Sequence, residues 1–215
     1  DPRFAETFGT SRFDNKPFLL YESVQGSLLF GWQLTPKLEE QPARPRDVLV
    51  MVDTSASKAQ GPLVMAIKLT ELLTQNLGDQ DRVAIWTVNT EPRNLTRAWK
   101  ARGEFADALK ALNAEYPSGA VNLKKGVEEA VKSFDAIPGR QRAILFFGDG
   151  KSLAGPLDDD ARADLCSKMV KEKIGFFAIP LSTNVDFQNV HGLVNGTGGK
   201  VVRLEDAADR DGLVK

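Results

Sequence analysis

The 215-residue sequence has one cysteine and one histidine, and these small numbers exclude several kinds of site. With Cys166 alone, the chain can form neither an intramolecular disulfide nor a thiolate metal cluster. Any Ser-His-Asp catalysis would have to use His191, and no G-x-S-x-G motif is present. Cys166 lies among apolar residues of a predicted helix, so we expect it to be a buried small hydrophobe. Low cysteine content suits both the cytosol and exported proteins, so the localisation stays open.

The chain also lacks an excess of charge and a long hydrophobic run. It has 28 basic and 29 acidic residues, a net charge of −1, which argues against nucleic-acid binding. No run of about 18 apolar residues occurs, so the sequence predicts no membrane-spanning segment. Hydrophobic residues make up 42% of the chain, enough for a substantial core. The length favours one domain with an extension.

The first 45 residues differ in pattern from the rest. Residues 18–34 carry two apolar runs on either side of Gln25-Gly26, which predicts a β-hairpin. Residues 35–47 (TPKLEEQPARPRD) are rich in proline and charge, as in a linker. We therefore divide the chain into an N-terminal extension, residues 1–45, and a main domain, residues 46–215. The apolar surface of the hairpin predicts that it packs on, or extends, the sheet of the main domain.

Strand and helix patterns alternate through the main domain. This alternation predicts an α/β fold with a mostly parallel central sheet and helices on both faces. In such sheets, ligands bind where the carboxyl ends of the strands meet the loops. The predicted strands are 47–53, 82–88, 142–149, 174–181 and 200–204, and the predicted helices lie within 63–77, 105–112, 127–134, 161–173 and 184–195, with one more beginning after 204.

Polar residues follow two of the predicted strands. The segment DVLVMVDTSAS, residues 47–57, ends in Asp53, Ser55 and Ser57, and RAILFFGD ends in Asp149. Two carboxylates and two hydroxyls at one edge of a sheet suit a hard cation such as Mg²⁺. Because hydroxyls are weak ligands, such a site would hold the metal loosely and leave a coordination position open. An acidic group from a partner could complete it.

These segments resemble the von Willebrand factor type A (vWA) domain family. The matching pieces are DVLVMVDTSAS, GPLVMAIKLTELLTQNLGDQDRVAIWTVNT, SGAVNLKKGVEEAVKSF and RQRAILFFGDGKS, which stand in family order and cover roughly residues 46–205. The resemblance implies a Rossmann-like fold and a non-enzymatic module for adhesion or protein–protein interaction. It also implies a metal-ion-dependent adhesion site for Mg²⁺, Mn²⁺ or Ca²⁺. Its residues would be Asp53, Ser55, Ser57 and Asp149, with the serines on the metal and the aspartates acting largely through water.

The sequence departs from the family at the loop that supplies a threonine ligand. That position falls on Val121, which lacks the hydroxyl, and Asn122 beside it is expected to cap the next helix. Lys58 and Lys151 stand next to the site, and we expect both to be solvated. If either ammonium turned inward, it could offset the carboxylates without metal. We therefore predict a weakened or vestigial metal site.

Three classes of function follow from these residues. The first is a binding module that uses loops 54–60, 117–122 and 149–158, with a metal bridge to an acidic partner residue as one mode. The second is a structural scaffold with a non-functional metal site and contacts through the N-terminal extension. The third is a phosphatase-like enzyme with Asp53 as nucleophile. That chemistry usually needs a second carboxylate two residues on, and position 55 is serine.

Three consecutive aspartates, 158–160, look like a calcium loop at first sight. The spacing of such a loop is absent. We expect these residues to stabilise the N-terminus of the following helix through its dipole.

Overall fold

The computed structural model describes residues 18–33 and 43–203, and the chain divides into two compact units, residues 1–43 and 44–215. In the first unit, strands β1 (Phe18–Glu22) and β2 (Leu28–Trp32) form an antiparallel two-stranded sheet of their own. The predicted hairpin is therefore confirmed. Its packing against the main domain and the division at residue 45 stay predictions, and most of the predicted linker lies outside the described residues.

The second unit is built on a six-stranded, mostly parallel sheet. The strand bounds are β3 Arg46–Asp53, β4 Arg82–Val88, β5 Pro92–Asn94, β6 Lys100–Ala101, β7 Gln141–Phe147 and β8 Ile174–Ile179. Strand β3 lies at the centre and pairs in parallel with β4 and β7, and β7 pairs in parallel with β8. The short strands β5 and β6 both run antiparallel to β4.

Helices cover both faces of this sheet, as the sequence predicts. Alternate residues of β3 point to opposite sides, so Leu49 and Met51 join one core while Val50 and Val52 join the other. The helix bounds are α1 Pro62–Gln75, α2 Ala106–Asn113, α3 Leu123–Lys132, α4 Asp159–Lys171 and α5 Phe187–Thr197. The first core includes side chains of α3, α4 and α5, and the second includes side chains of α1 and α2.

Two details differ from the sequence-based expectation. Strands β5 and β6 were not predicted, because two or three residues are too few to show a period. The strand expected at 200–204 is reduced to an isolated parallel bridge between Val201 and Ala178 in the described residues. The helix expected after 204 lies outside the described residues. No helix within the described ranges has the length and apolar character needed to cross a membrane.

Asp81 ties the start of β3 to the turn that precedes β4. Its carboxylate accepts hydrogen bonds from Arg46 through the backbone amide (2.8 Å), Nε (3.0 Å) and Nη2 (2.8 Å), and from the Gly78 amide at 3.0 Å. Burial raises the pKa of Asp81, but these bonds lower it by more, so that the pKa lies below its ordinary value. The ionised carboxylate therefore stabilises the folded chain.

Replacing Asp81 with asparagine is expected to lower the free energy of unfolding at pH 7 by about 1–3 kcal/mol. Because the pKa of Asp81 is lower in the folded chain, its contribution is present above the unfolded value, about 3.9, and is lost as the pH falls through the folded value. Urea unfolding at pH 7 and at points below pH 4 should show the difference shrinking. A difference independent of pH would contradict this. Asp79→Asn is the matched control, because its carboxylate is largely exposed.

Candidate functional site

The two aspartates meet because their strands are neighbours. Strands β3 and β7 are parallel, and Val52 pairs with Phe147, so Asp53 and Asp149 both emerge at the carboxyl edge of the sheet. Both carboxylates are buried, as is Ser55, whereas Ser57 is exposed. The Oγ atoms of Ser55 and Ser57 lie 3.1 Å apart. The structure thus brings together the four residues that the sequence places at this edge.

Backbone amides orient both carboxylates. The Ser55 amide donates to Asp53 Oδ1 at 2.8 Å, and the Lys151 amide donates to Asp149 Oδ1 at 3.1 Å. Gly150 allows the turn in which the Lys151 amide reaches the Asp149 carboxylate, because its φ of +79° is unfavourable for other residues. A Cβ at this position would also lie 2.4 Å from Val190 Cγ2. In each carboxylate the other oxygen, Oδ2, faces the space between the two loops.

The ammonium group of Lys58 fills that space. Its Nζ donates to Ser57 Oγ at 2.8 Å, forms a short hydrogen-bonded ion pair with Asp149 Oδ2, and lies 3.4 Å from Asp53 Oδ2. The Asp53 contact is an ion pair without hydrogen-bond geometry, since Asp53 Oδ2 has no hydrogen-bond donor. Lys58 is only 2% exposed.

The expectation that Lys58 is solvated was therefore wrong. Residues Ala56–Lys58 form a single turn of 3-10 helix, closed by a bond from the Lys58 amide to the Ser55 carbonyl at 2.9 Å. This turn brings the Lys58 side chain back over the site. Two buried carboxylates without a counter-ion would be costly, and the ammonium relieves that cost. Lys151 is half-buried.

Burial raises the pKa of Asp53 above its ordinary value, and the Lys58 ammonium and the bonds from Ser55 oppose this only in part. Asp149 adds to the increase, because two like charges close together disfavour ionisation. The single ammonium thus does not fully offset the burial of Asp53.

The residue at the family's threonine position is part of the core. Val121 is 2% exposed and packs in the first core cluster. Asn122 caps α3 by accepting a hydrogen bond from the Lys125 amide at 3.1 Å. The capping by Asn122 is as the sequence predicts. No hydroxyl oxygen is therefore offered from this position.

These residues do not fit a divalent cation as the structure arranges them. The free oxygens of both carboxylates and the Ser57 hydroxyl already face an ammonium, and Val121 supplies no oxygen. Elsewhere in residues 18–33 and 43–203, no group of three or more His, Cys, Asp or Glu side chains could hold a metal ion. The site is an internal ion-pair cluster.

Backbone hydrogen bonds between loops join the surface around this cluster. The Ser118 amide donates to the Thr54 carbonyl (2.9 Å), Ala56 to Gly119 (3.0 Å) and Ala154 to Val121 (3.0 Å). We call the exposed part of residues 54–60, 116–122 and 149–158 the carboxyl-edge surface.

Two large side chains stand out on this surface. Tyr116 is 80% exposed and Leu153 is 71% exposed. Sequence reasoning missed both as functional candidates. The available signals were an aromatic residue beside Pro117 and a lone leucine in the loop that follows Asp149.

The remaining candidates lie elsewhere in the fold. Asp158 caps α4 by accepting from the Ala161 amide at 2.8 Å, which confirms the helix-terminus prediction. His191 is exposed on α5 and stacks on Phe187, with ring centroids 5.9 Å apart. Cys166 is half-buried rather than fully buried, and burial raises the pKa of its thiol.

A mostly parallel sheet lies between two helical layers. The D-x-S-x-S segment stands at the end of its central strand β3, and the D-G segment follows the neighbouring strand β7. This arrangement defines a vWA-type domain. Residues 46–202 match the family model described as the von Willebrand factor type A domain. The chain therefore belongs to the vWA family. A sequence comparison with curated proteins gave no significant match.

Solved structures show the same fold at low sequence identity. A von Willebrand factor type A protein from Catenulispora acidiphila is 15% identical with a TM-score of 0.69, and the match covers 80% of this chain and 42% of that one. Proximal thread matrix protein 1 from the mussel byssus is 15% identical with a TM-score of 0.63, over 80% and 46% of the two chains. Conserved hypothetical protein BatB from Bacteroides thetaiotaomicron is 16% identical with a TM-score of 0.59, over 74% and 89%.

vWA domains are typically non-catalytic modules that bind proteins, and many hold a divalent ion at the adhesion site. The chain spans less than half the length of the Catenulispora and mussel proteins it matches.

Proposed function

We propose that this protein is a non-enzymatic module that binds a protein partner at the carboxyl-edge surface. The observation that carries the proposal is the exposure of Tyr116 and Leu153 on loops that are joined by backbone hydrogen bonds. Tyrosine is enriched among the residues that dominate binding energy at protein interfaces. Loops that are already ordered lose less conformational entropy on binding.

The partner is better recognised by apolar and uncharged groups than through a bridging metal. Lys58 is buried beneath the surface and its charge is engaged by two carboxylates. A partner carboxylate would find no metal coordination position to complete. The exposed residues Ala56, Ser57 and Ser118 of the same surface instead offer small side chains and hydroxyl groups.

A second candidate is a scaffold that makes its contacts through the N-terminal hairpin. Leu20, Phe30 and Trp32 of β1 and β2 are all more than half exposed. Isolated two-stranded hairpins are marginally stable, so covering these side chains would stabilise this one. A phosphatase-like activity has no comparable support, because Asp53 is buried and residue 55 is a serine.

The two candidates can be separated by affinity measurements on a partner isolated from the source cells. We expect Tyr116→Ala combined with Leu153→Ala to weaken binding by at least about 30-fold, the effect of losing a hot spot. Val64→Ala combined with Leu72→Ala, which truncates two exposed residues of α1, is the matched control and should change little. EDTA should have no effect. Loss of binding in the variant Leu20→Ser with Phe30→Ser, while the variant Tyr116→Ala with Leu153→Ala still binds, would favour the hairpin scaffold.

A further inference from the structure

We propose that Lys58 is the resident cation of this site, and that its ammonium takes the place of the divalent metal and keeps metal out. The inference concerns the ion-pair cluster alone and does not depend on the proposed partner.

The geometry around Nζ matches what a cation at this position requires. A lysine ammonium has three donors and no acceptor. Here it faces three oxygens from three different residues, Ser57 Oγ, Asp149 Oδ2 and Asp53 Oδ2. The other oxygen of each carboxylate is held by a backbone amide. Both oxygens of Asp149 are thereby hydrogen-bonded within the chain, whereas Asp53 Oδ2 has only its ion pair with Lys58.

A divalent ion would compete with Lys58 for the same atoms. Mg²⁺ needs oxygen ligands at roughly 2.0–2.1 Å in a near-octahedral arrangement. The free carboxylate oxygens and the Ser57 hydroxyl already accept from, or face, the ammonium. Two cations in one buried cluster would also repel each other strongly. Metal binding would therefore require the Lys58 side chain to leave.

A resident ammonium also accounts for the valine at the family's threonine position. With an ammonium as the cation, a threonine hydroxyl is not needed as a ligand. Val121 can fill that position with apolar surface, and it packs in the core. The lysine after D-x-S-x-S supplies the cation, and the valine is tolerated because no metal needs the threonine hydroxyl.

Metal binding by Val121→Thr decides whether Lys58 or the missing hydroxyl excludes metal. This variant restores the hydroxyl and keeps Lys58. We expect wild type and Val121→Thr to bind no Mn²⁺ at 10 mM, an assay concentration chosen to reveal even weak binding, in electron paramagnetic resonance titrations. Their unfolding temperatures should be the same in Mg²⁺, Mn²⁺ and EDTA. Mn²⁺ binding by either protein that Asp53→Asn abolishes would overturn the proposal.

Removing the ammonium should create the metal site. We expect Lys58→Ala combined with Val121→Thr to unfold at a lower temperature in EDTA and to gain at least about 5 °C with saturating Mn²⁺. Lys151→Ala combined with Val121→Thr is the matched control and should gain nothing. A folded Lys58→Ala/Val121→Thr protein whose unfolding temperature does not change with Mn²⁺ would also overturn the proposal. If that variant does not fold, the Val121→Thr measurement decides by itself.

Discussion

Replacing Lys58 with methionine is expected to lower the free energy of unfolding by about 3–5 kcal/mol at neutral pH in the presence of EDTA. Methionine keeps most of the length and apolar character of the side chain but removes the charge. Asp53 and Asp149 would then lie buried beside each other without a cation. Removing one partner of a buried ion pair costs far more than the pair contributes, because the remaining charge is left unsolvated.

Urea unfolding of the wild type, Lys58→Met and Lys151→Met would measure this loss. Lys151 is the natural control, because it lies beside the same aspartate and its amide, not its side chain, is known to contact the carboxylate. Adding Asp149→Asn to Lys58→Met should recover part of the stability, because it removes one of the two unpaired charges. Equal losses in the two lysine variants would show that the Lys58 ion pairs contribute nothing.

Replacing Phe146 with alanine is expected to lower the free energy of unfolding by about 3–5 kcal/mol, because it empties a site at the centre of the core. Phe146 is fully buried on β7, and its ring lies against that of Phe176 with centroids 5.9 Å apart. Its Cζ atom would lie 2.3 Å from a Cβ on Gly148, so the ring packs directly against the backbone that leads into Asp149. The cavity would open next to the backbone that leads into Asp149.

The loss in the free energy of unfolding should increase with the volume of the side chain that is removed. Phe146→Leu removes less volume and should cost less than Phe146→Ala under the same urea conditions. Phe187→Ala provides the surface comparison, since that ring is 58% exposed, and it should change stability by about 0.5 kcal/mol or less. Similar losses for Phe146→Ala and Phe187→Ala would contradict the packing described here.

The substitutions of Phe146 and Lys58 test two different sources of stability. Phe146 stabilises the sheet through apolar contacts, and Lys58 joins the loops that follow β3 and β7 through charge. Because Lys58 and Asp149 are 91 residues apart in sequence, their ion pair forms only when the two strands are paired. We therefore expect the edge to become ordered with the sheet and without a ligand.

Much of the architecture followed from local patterns in the sequence. Continuous apolar runs marked β3, β4, β7 and β8, because strands buried on both faces need apolar residues on both sides. The D-x-S-x-S and D-G segments located the edge that holds the candidate site, because parallel neighbours end at the same side of a sheet. The roles of Asn122 and Asp158 at helix N-termini were also predictable from the sequence, since both act on backbone amides only a few residues away.

Tertiary structure alone decided the features that set the chemistry of the edge. The sequence indicated that Lys58 stands near the carboxylates, but solvation was the expected state of a lysine, and only the paired strands put two buried charges within its reach. Strands β5 and β6 form because β4 offers them a free side to pair with. The exposure of Tyr116 and Leu153 is likewise set by the loops around them, since nothing local distinguishes an exposed apolar residue from a buried one. Local sequence thus determined the elements and their ends, while through-space charge and packing determined which cation the site contains.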